Sequence, residues 1–178
     1  MANDAQLVQS TLSGSHDAFD CLMQRYQRLV YKVAYNFGHE KEMALDVVQS
    51  VFLKVYQKLA SLKNQDQFKA WLMRITYNEC VTWGRATLPF QPLEDREDEF
   101  PADTRDQEDD MLKLETNSVL AGMLSQLHAK HRLAVVLKYF EGLQIKEIAE
   151  VLQCSESVVK NMIYRGVKKM SRMAQATS

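Results

Sequence analysis

The stretch Ile145–Met170, IKEIAEVLQCSESVVKNMIYRGVKKM, constrains the fold more than any other part of the chain. Its first half has an apolar stripe at helical spacing, and a helical pattern resumes after the polar break Gln153–Ser155. Ser155 is well placed to cap the second helix. Two short helices joined by such a turn are typical of a helix-turn-helix. The first stripe consists of Ile145, Ile148, Ala149 and Leu152.

The second helix has two chemically different faces, which emerge when each residue is turned by about 100° around the axis. The apolar face consists of Val158, Val159, Met162, Ile163, Val167 and Met170. The opposite face consists of Ser157, Lys160, Asn161, Tyr164, Arg165, Lys168 and Arg172. After Glu156 it has no acidic residue, whereas an ordinary solvated face mixes both signs. This pattern predicts a helix that enters the major groove of DNA. The alternative is a solvated helix of a small bundle.

Composition and periodicity predict an all-α fold of two helical domains joined by an acidic flexible linker, with the helix-turn-helix in the C-terminal domain. The chain of 178 residues has only 6 Gly and 3 Pro and no convincing alternating strand pattern. Before the linker, helices are predicted at about Asp4–Leu12, Asp17–Asn36, Glu42–Ala60 and Gln67–Gly84. After it, they are predicted at about Leu112–Leu127 and Ala129–Phe140, followed by the helix-turn-helix.

The linker, residues 88–111, separates predicted domains at residues 1–87 and 112–178. Residues 88–117 have eleven acidic and three basic side chains, and all three prolines lie within Thr87–Asp110. Residues 118–178 have nine basic and four acidic side chains, which suits a domain that neutralises DNA phosphates. The linker is predicted to be a solvated tether. The alternative is a polyanion that occupies a basic channel in a partner.

Motifs for catalysis and for cofactors are not evident, so we do not expect an enzyme. The sequence has no Gly-rich phosphate loop and no defensible Ser–His–Asp spacing. His128 and His131 lie three residues apart without a third ligand, and the three cysteines are scattered, so neither a metal site nor a disulfide framework is predicted. No apolar run approaches the roughly 18 residues needed to span a membrane. We therefore expect no membrane partner and a cytoplasmic location.

Both halves of the chain resemble one protein family. The motifs are ALDVVQSVFLKVYQKL and FKAWLMRITYNECVTWGR before the linker, and LKYFEGLQIKEIAEVLQCSESVVKNMIYRGVKKM after it. In this order they resemble the sigma factors of bacterial RNA polymerase, and within these the extracytoplasmic-function group. The resemblance implies a non-enzymatic subunit that binds core polymerase at its clamp and flap surfaces and directs promoter-specific initiation. It also implies promoter DNA as a partner and leaves room for an anti-sigma factor.

The resemblance assigns roles to residues by position. The helix Met43–Leu59 would dock on the polymerase clamp, where Asp46, Gln49 and Phe52 match the motif and Ser50 lies at a further position of it. The loop Leu62–Gln67 and the helix Phe68–Arg85 would open the downstream, minus-ten promoter element. Asn78 and Arg85 match positions used there, while Phe68 and Trp83 could stack on bases and Trp71 is favoured as a packing residue. The helix-turn-helix would recognise the upstream, minus-thirty-five element as duplex.

The docking motif departs from the family pattern at three positions. Met43, Leu45 and Ser50 stand where acidic residues are common, so core binding is predicted to be weak if the clamp surface is basic. Phosphorylation of Ser50 by a Ser/Thr kinase would restore negative charge. The favoured alternative is that Ser50 is a neutral variant and that apolar contacts carry the docking.

Two other functions compete with a sigma factor. One is a helix-turn-helix regulator that acts without polymerase, for which a dimer interface would be diagnostic. The other is a degenerate relative of sigma factors that sequesters a partner. The absence of acidic residues at three positions of the docking motif leaves this alternative open.

Overall fold

In the computed structural model, residues 2–38, 40–87 and 118–177 are described, and within these ranges the chain is helical without a β-strand. The predicted all-α fold is confirmed. The 3-10 turns η1 and η2 precede the fourth helix. The elements are α1 Asp4–Leu12, α2 His16–Gly38, α3 Lys41–Lys58, η1 Leu59–Ser61, η2 Gln65–Gln67, α4 Phe68–Thr87, α5 Ser118–Ser125, α6 Ala129–Tyr139, α7 Ile145–Leu152 and α8 Glu156–Thr177.

The N-terminal domain packs α1 to α4 around one apolar core. Helix α1 begins with a capping box, in which Asn3 and Gln6 exchange side-chain and main-chain hydrogen bonds. Helices α2 and α3 pack side by side, and α4 closes the core with Phe68 and Leu72 fully buried. Phe68 contacts the ring of Tyr26 on α2, with 5.5 Å between ring centroids. These contacts fix the outer faces of α3 and α4.

The C-terminal domain contains the predicted helix-turn-helix. Helix α7 begins with a capping box between Gln144 and Glu147, and its C-cap residue Gln153 has a left-handed φ of 55°. This conformation turns the chain sharply toward α8. The Ser155 hydroxyl accepts a hydrogen bond from the Val158 N–H at 3.4 Å, so its predicted capping role is confirmed.

The two domains contact each other directly. Helix α4 packs along α7, and α2 packs on α6. Buried side chains of both domains, such as Leu72 and Ile148, belong to one continuous hydrophobic cluster. The described part of the chain is therefore one packed unit with a seam between its two domains.

The predicted helix boundaries agree with the structure to within a few residues, except where the 3-10 turns intervene. The predicted helix to Ala60 ends at Lys58 and continues as η1, and the predicted start at Gln67 belongs to η2. The predicted start at Leu112, like the linker 88–111, lies outside the described residues. Among the described residues, no helix is long and apolar enough to cross a membrane. No group of three or more possible metal ligands occurs there.

Candidate nucleic-acid and polymerase interfaces

Helix α8 presents its polar face to solvent. The seven side chains predicted for this face are all exposed: Ser157, Lys160, Asn161, Tyr164, Arg165, Lys168 and Arg172. Tyr164 is 64% exposed, and the Lys168 ammonium lies 5.6 Å from its ring centroid. The buried side of α8 includes Val159, Met162 and Ile163. Packing of this side on α6 and α7 therefore directs the acid-free face outward.

The predicted apolar face of α8 is only partly buried. Val158 and Val167 are exposed, so the apolar face is wider than the part of it that is buried. They lie at the two edges of the stripe, while Gly166 occupies the line of contact with α6. A hypothetical Cβ on Gly166 would stand 2.9 Å from Val135 Cγ2. Sequence periodicity missed this position because glycine has no side chain to count as apolar.

An open depression of about 300 Å³ lies beside the polar face of α8. Tyr139, the last residue of α6, is exposed at its edge, and Lys138 and Lys160 are cationic members of its lining. Tyr139 was not predicted as a site residue, because it falls outside the helix-turn-helix segment. Lys169, which follows Lys168, donates to the Gln126 carbonyl at 2.8 Å.

The predicted docking residues on α3 do not share one face. Asp46 and Gln49 are exposed, whereas Phe52 is only 5% exposed and forms part of the core. Phe52 is therefore corrected from a docking contact to a packing residue in this conformation. Met43 is likewise buried, at 2% exposure, with its thioether next to Gly38. The exposed face includes Leu45, which stands at one of the substituted acidic positions, and two apolar side chains that the motif comparison did not consider, Leu53 and Tyr56.

Ser50 faces α4. Its hydroxyl donates to Glu79 Oε2 at 2.6 Å, and the Lys54 ammonium pairs with the other carboxylate oxygen. Burial alone would raise the pKa of Glu79, but the hydrogen bonds from Lys54 and Ser50 and the nearby lysine charges lower it. Ser50 is therefore part of a polar link between α3 and α4 within the N-terminal domain.

The predicted downstream-element residues on α4 have different environments. Phe68 is 0% exposed, so its predicted stacking on a base is wrong for this conformation. Trp71 packs partly buried against the core, as favoured from its spacing, and Trp83 does so as well. The side chain of Arg85 lies outside the described residues. Asn78 is exposed, and its Oδ1 accepts a hydrogen bond from Gln153 Nε2 at 2.6 Å.

Both domains match described families. Residues 22–87 match Sigma-70 region 2, and residues 118–170 match Sigma-70, region 4. The RNA polymerase sigma-H factor of Pseudomonas aeruginosa is 32% identical over 97% of this chain and 94% of that protein. The ECF RNA polymerase sigma-E factor of Haemophilus influenzae is 29% identical over 97% of this chain and 95% of its own length.

Two solved structures share the fold, each with a TM-score of 0.67. CnrH, in complex with the cytosolic domain of CnrY, is 25% identical and covers 98% of this chain and 99% of its own. The sigma factor RpoE, in complex with the anti-sigma factor NepR from Bartonella quintana, is 19% identical, with coverages of 88% and 96%.

The chain therefore belongs to the sigma-70 factors, in their extracytoplasmic-function group. It is a transcription initiation factor that acts with RNA polymerase and DNA, and its family is not one of known enzymes. An independent helix-turn-helix regulator is not favoured.

Proposed function

We propose that this sigma factor acts in the cytoplasm, recognises the upstream promoter element with α8 and docks on core polymerase with the outer face of α3. The observation that carries the proposal is the exposed polar face of α8, which has no acidic residue after Glu156 and on which all seven predicted side chains are exposed. Cationic and amide side chains on such a face suit base edges and phosphates in the major groove.

The test of upstream recognition is run-off transcription with core polymerase. Lys160→Ala and Arg165→Ala should each weaken promoter binding by about 10- to 150-fold where the side chain contacts a base, which corresponds to about 1–3 kcal/mol. A change at Lys168, nearer the phosphates, should weaken all sequences alike. Lys32→Ala removes the same charge from α2, a helix to which no DNA contact is assigned, and serves as the matched control. Unchanged promoter selection by the α8 variants would refute the assignment.

The downstream element is proposed to contact α4. Asn78 is the exposed candidate on this helix, and Trp83 lies partly buried further along it. Asn78→Ala should reduce opening of the promoter, measured by permanganate reactivity of unpaired thymines, while leaving upstream binding unchanged. Loss of upstream binding instead would indicate a general folding defect. The Arg85 contact remains a prediction, as does the occupation of a basic channel in a partner by linker 88–111.

Docking on the clamp is proposed to use Asp46 and Gln49 together with an apolar contribution. Leu45, Leu53 and Tyr56 are exposed on α3, and burying a leucine side chain contributes about 1.5–3 kcal/mol. Leu53→Asn should therefore weaken core binding by at least about tenfold, whereas Leu12→Asn, an equal change on α1, should not. Fluorescence anisotropy with purified core measures both. Equal affinity of the two variants would exclude the apolar contribution.

Activation by phosphorylation of Ser50 remains a separate proposal, and its geometry favours the neutral alternative. A phosphate adds about −1.5 to −2 charges, and here it would stand beside the Glu79 carboxylate. Lys54 already pairs with Glu79, and Lys58 adds only a second nearby positive charge. Core affinity should therefore be tight for wild type and Ser50→Ala, and no tighter for Ser50→Asp. Stronger binding by Ser50→Asp or by phosphorylated protein would instead support a kinase switch.

An anti-sigma factor is a further proposed partner. The similar fold of RpoE was solved with its anti-sigma factor, and CnrH with the cytosolic domain of CnrY. A partner of this kind should compete with core polymerase for the purified protein. A co-purifying protein that binds without displacing core would argue against it.

A further inference from the structure

Helix α1 packs against the segment Leu59–Phe68, which links α3 to α4. It lies on α2 and also contacts both 3-10 turns and α4. Leu7 and Val8 of α1 are buried in the same hydrophobic cluster as Leu59, the first residue of η1. The family resemblance assigns the loop Leu62–Gln67, within this segment, to the downstream promoter element. Helix α1 itself has no assigned contact with DNA or polymerase, so the proposed function does not explain why it lies against this loop.

A side-chain hydrogen bond ties the loop directly to α1. Gln65 Nε2, in the first residue of η2, donates to Gln9 Oε1 in the second half of α1 at 2.8 Å. The bond restricts the Gln65 side chain to few of the many rotamers that a glutamine can otherwise adopt. Gln9 is exposed and Gln65 is half-buried, so either side chain can be replaced without opening the core.

A second connection runs from the start of α1 to the other end of η2. Asp4 accepts a hydrogen bond from the Tyr26 hydroxyl and pairs with the Arg25 guanidinium, both on α2. The Tyr26 ring packs on Phe68, with 5.5 Å between ring centroids. The Phe68 N–H in turn donates to the Gln65 carbonyl. Both ends of η2 are therefore connected to α1, one directly and the other through α2.

Hydrogen bonds inside the loop fix its shape rather than its position. Asn64 Oδ1 accepts from the Asp66 N–H, and the Asn64 carbonyl accepts from the Gln67 N–H, each at 3.1 Å. Both bonds close a turn within four residues, and short 3-10 turns have poorer hydrogen-bond geometry than an α-helix. The position of the turn beside α4 depends on its contacts with α1 and α2. The exposed side chains of the loop are those of Lys63, Asn64, Asp66 and Gln67.

Recognition of an unpaired DNA strand depends on where such exposed side chains stand. A base that leaves the stack is recognised through hydrogen bonds to its edge and through stacking in a fitted pocket. A loop that is already held in its binding conformation loses less conformational freedom when the strand binds. Contacts that hold the loop therefore raise affinity for the unpaired strand without touching it. Duplex recognition by α8 does not gain from them, because α8 lies in the other domain.

We propose that α1 positions the loop Leu62–Gln67 for the unpaired downstream element, with Gln9 as a positioning residue that acts through Gln65. The inference rests on the proposed function, because it uses the assignment of this loop and the start of α4 to the downstream element. It adds a part of the chain that contacts neither promoter element and yet determines how well the downstream element is opened.

Promoter opening by the protein with core polymerase tests the role of Gln9. On a promoter fragment that supports run-off transcription, Gln9→Ala should reduce permanganate reactivity of the unpaired thymines by about two- to tenfold, the range for loss of one hydrogen bond. Binding of the upstream duplex should equal that of wild type. Gln27→Ala makes the same change on an exposed part of α2, to which no DNA contact is assigned, and is the matched control.

Two further variants separate positioning from a general effect on stability. Gln9→Glu retains an oxygen that accepts from Gln65 Nε2, so it should recover most of the opening that Gln9→Ala loses. Gln9→Ala should also have no further effect in a protein that already contains Gln65→Ala, because the two side chains act through one bond. Thermal unfolding checks that all variants fold.

Hydrogen exchange shows the loop itself in the free protein. Peptides that cover residues 62–67 should exchange faster in Gln9→Ala than in wild type, and at the wild-type rate in Gln27→Ala. Unchanged exchange in Gln9→Ala, unchanged promoter opening, or losses that simply add in the double variant would each overturn the inference. Failure of the proposed function is distinguishable, because the wild-type protein would then give no core-dependent, promoter-specific transcript. Failure of the inference alone leaves wild type and Gln9→Ala equally active.

Discussion

Gly166 allows α8 to lie close against α6, and filling it should disturb the positioning of the DNA-binding helix. A Cβ at this position would stand 2.9 Å from Val135 Cγ2 and 3.5 Å from Leu127 Cδ1. Val135 is buried in the core of the C-terminal domain and is β-branched, so it has little freedom to move aside. Gly166→Ala therefore requires a shift of the helix or of Val135.

Two opposing terms set the size of the effect. Alanine in place of a helical glycine stabilises by about 1 kcal/mol, and overpacking a buried contact costs about 1–3 kcal/mol. The net result for Gly166→Ala should be a loss of up to about 2 kcal/mol. At Gly122 in α5, an added Cβ would meet no atom of the described residues within 4 Å. Gly122→Ala should therefore show only the stabilisation from the higher helix propensity of alanine. The difference between the two variants isolates the overlap with Val135.

Thermal and urea unfolding followed by circular dichroism measure this difference. For a chain of this size, 1 kcal/mol shifts Tm by about 2–4 °C. We expect Gly122→Ala to raise Tm and Gly166→Ala to lower it, with the loss partly reversed when Val135→Ala is added to Gly166→Ala. Gly166→Ala should also reduce promoter binding at the upstream element. Equal stabilisation by the two glycine replacements would refute close packing of α8 on α6.

Further predictions concern ionisable groups. The pKa of Glu79 is lowered in the folded protein. The hydrogen bonds and ion pair of Glu79 therefore stabilise the fold above the ordinary carboxyl pKa of 4.5, and this stabilisation is lost as the pH falls through the lower pKa of the folded protein. Glu79→Gln should flatten that part of the curve of unfolding free energy against pH. Burial raises the pKa of the Cys80 thiol to about 12, so maleimide should label exposed Cys21 first and Cys80 only on unfolding, as mass spectrometry of digests would show. Rapid labelling of Cys80 in folded protein would contradict its burial.

Sequence patterns sufficed for features set by local chemistry. The break at Gln153–Ser155 and the polar stripe of α8 follow from helical periodicity and capping, and both are present in the structure. The burial of Phe68 could also be derived, since its spacing from Leu72 is that of a core stripe. Positional matching to a family motif did not distinguish this packing role from base stacking.

The seam between domains could not be predicted from the sequence. Asn78 and Gln153 are 75 residues apart, and nothing in either local pattern indicates that they meet. Arg132 sits in a helical segment with ordinary amphipathic spacing, where an arginine is expected to be solvated. Its burial depends on the end of α2, an element of the other domain. Long-range partners of this kind require the three-dimensional structure.

The packing of α3 in the domain changes what the three missing acidic residues imply for core binding. Met43 is buried, so an acidic side chain there would have to leave the core before it could reach a basic clamp. Ser50 is hydrogen-bonded to Glu79, and a carboxylate in place of Ser50 would repel the Glu79 carboxylate within the domain. Of the three substituted positions, only Leu45 is exposed.

Apolar side chains on the exposed face of α3 change how core binding should respond to salt. Charge attraction between acidic residues and a basic clamp is screened by salt, whereas burial of apolar side chains is affected little. Core binding by this sigma factor should therefore be less sensitive to ionic strength than that of a relative with acidic residues on the face, and a titration from low to high salt would decide the matter.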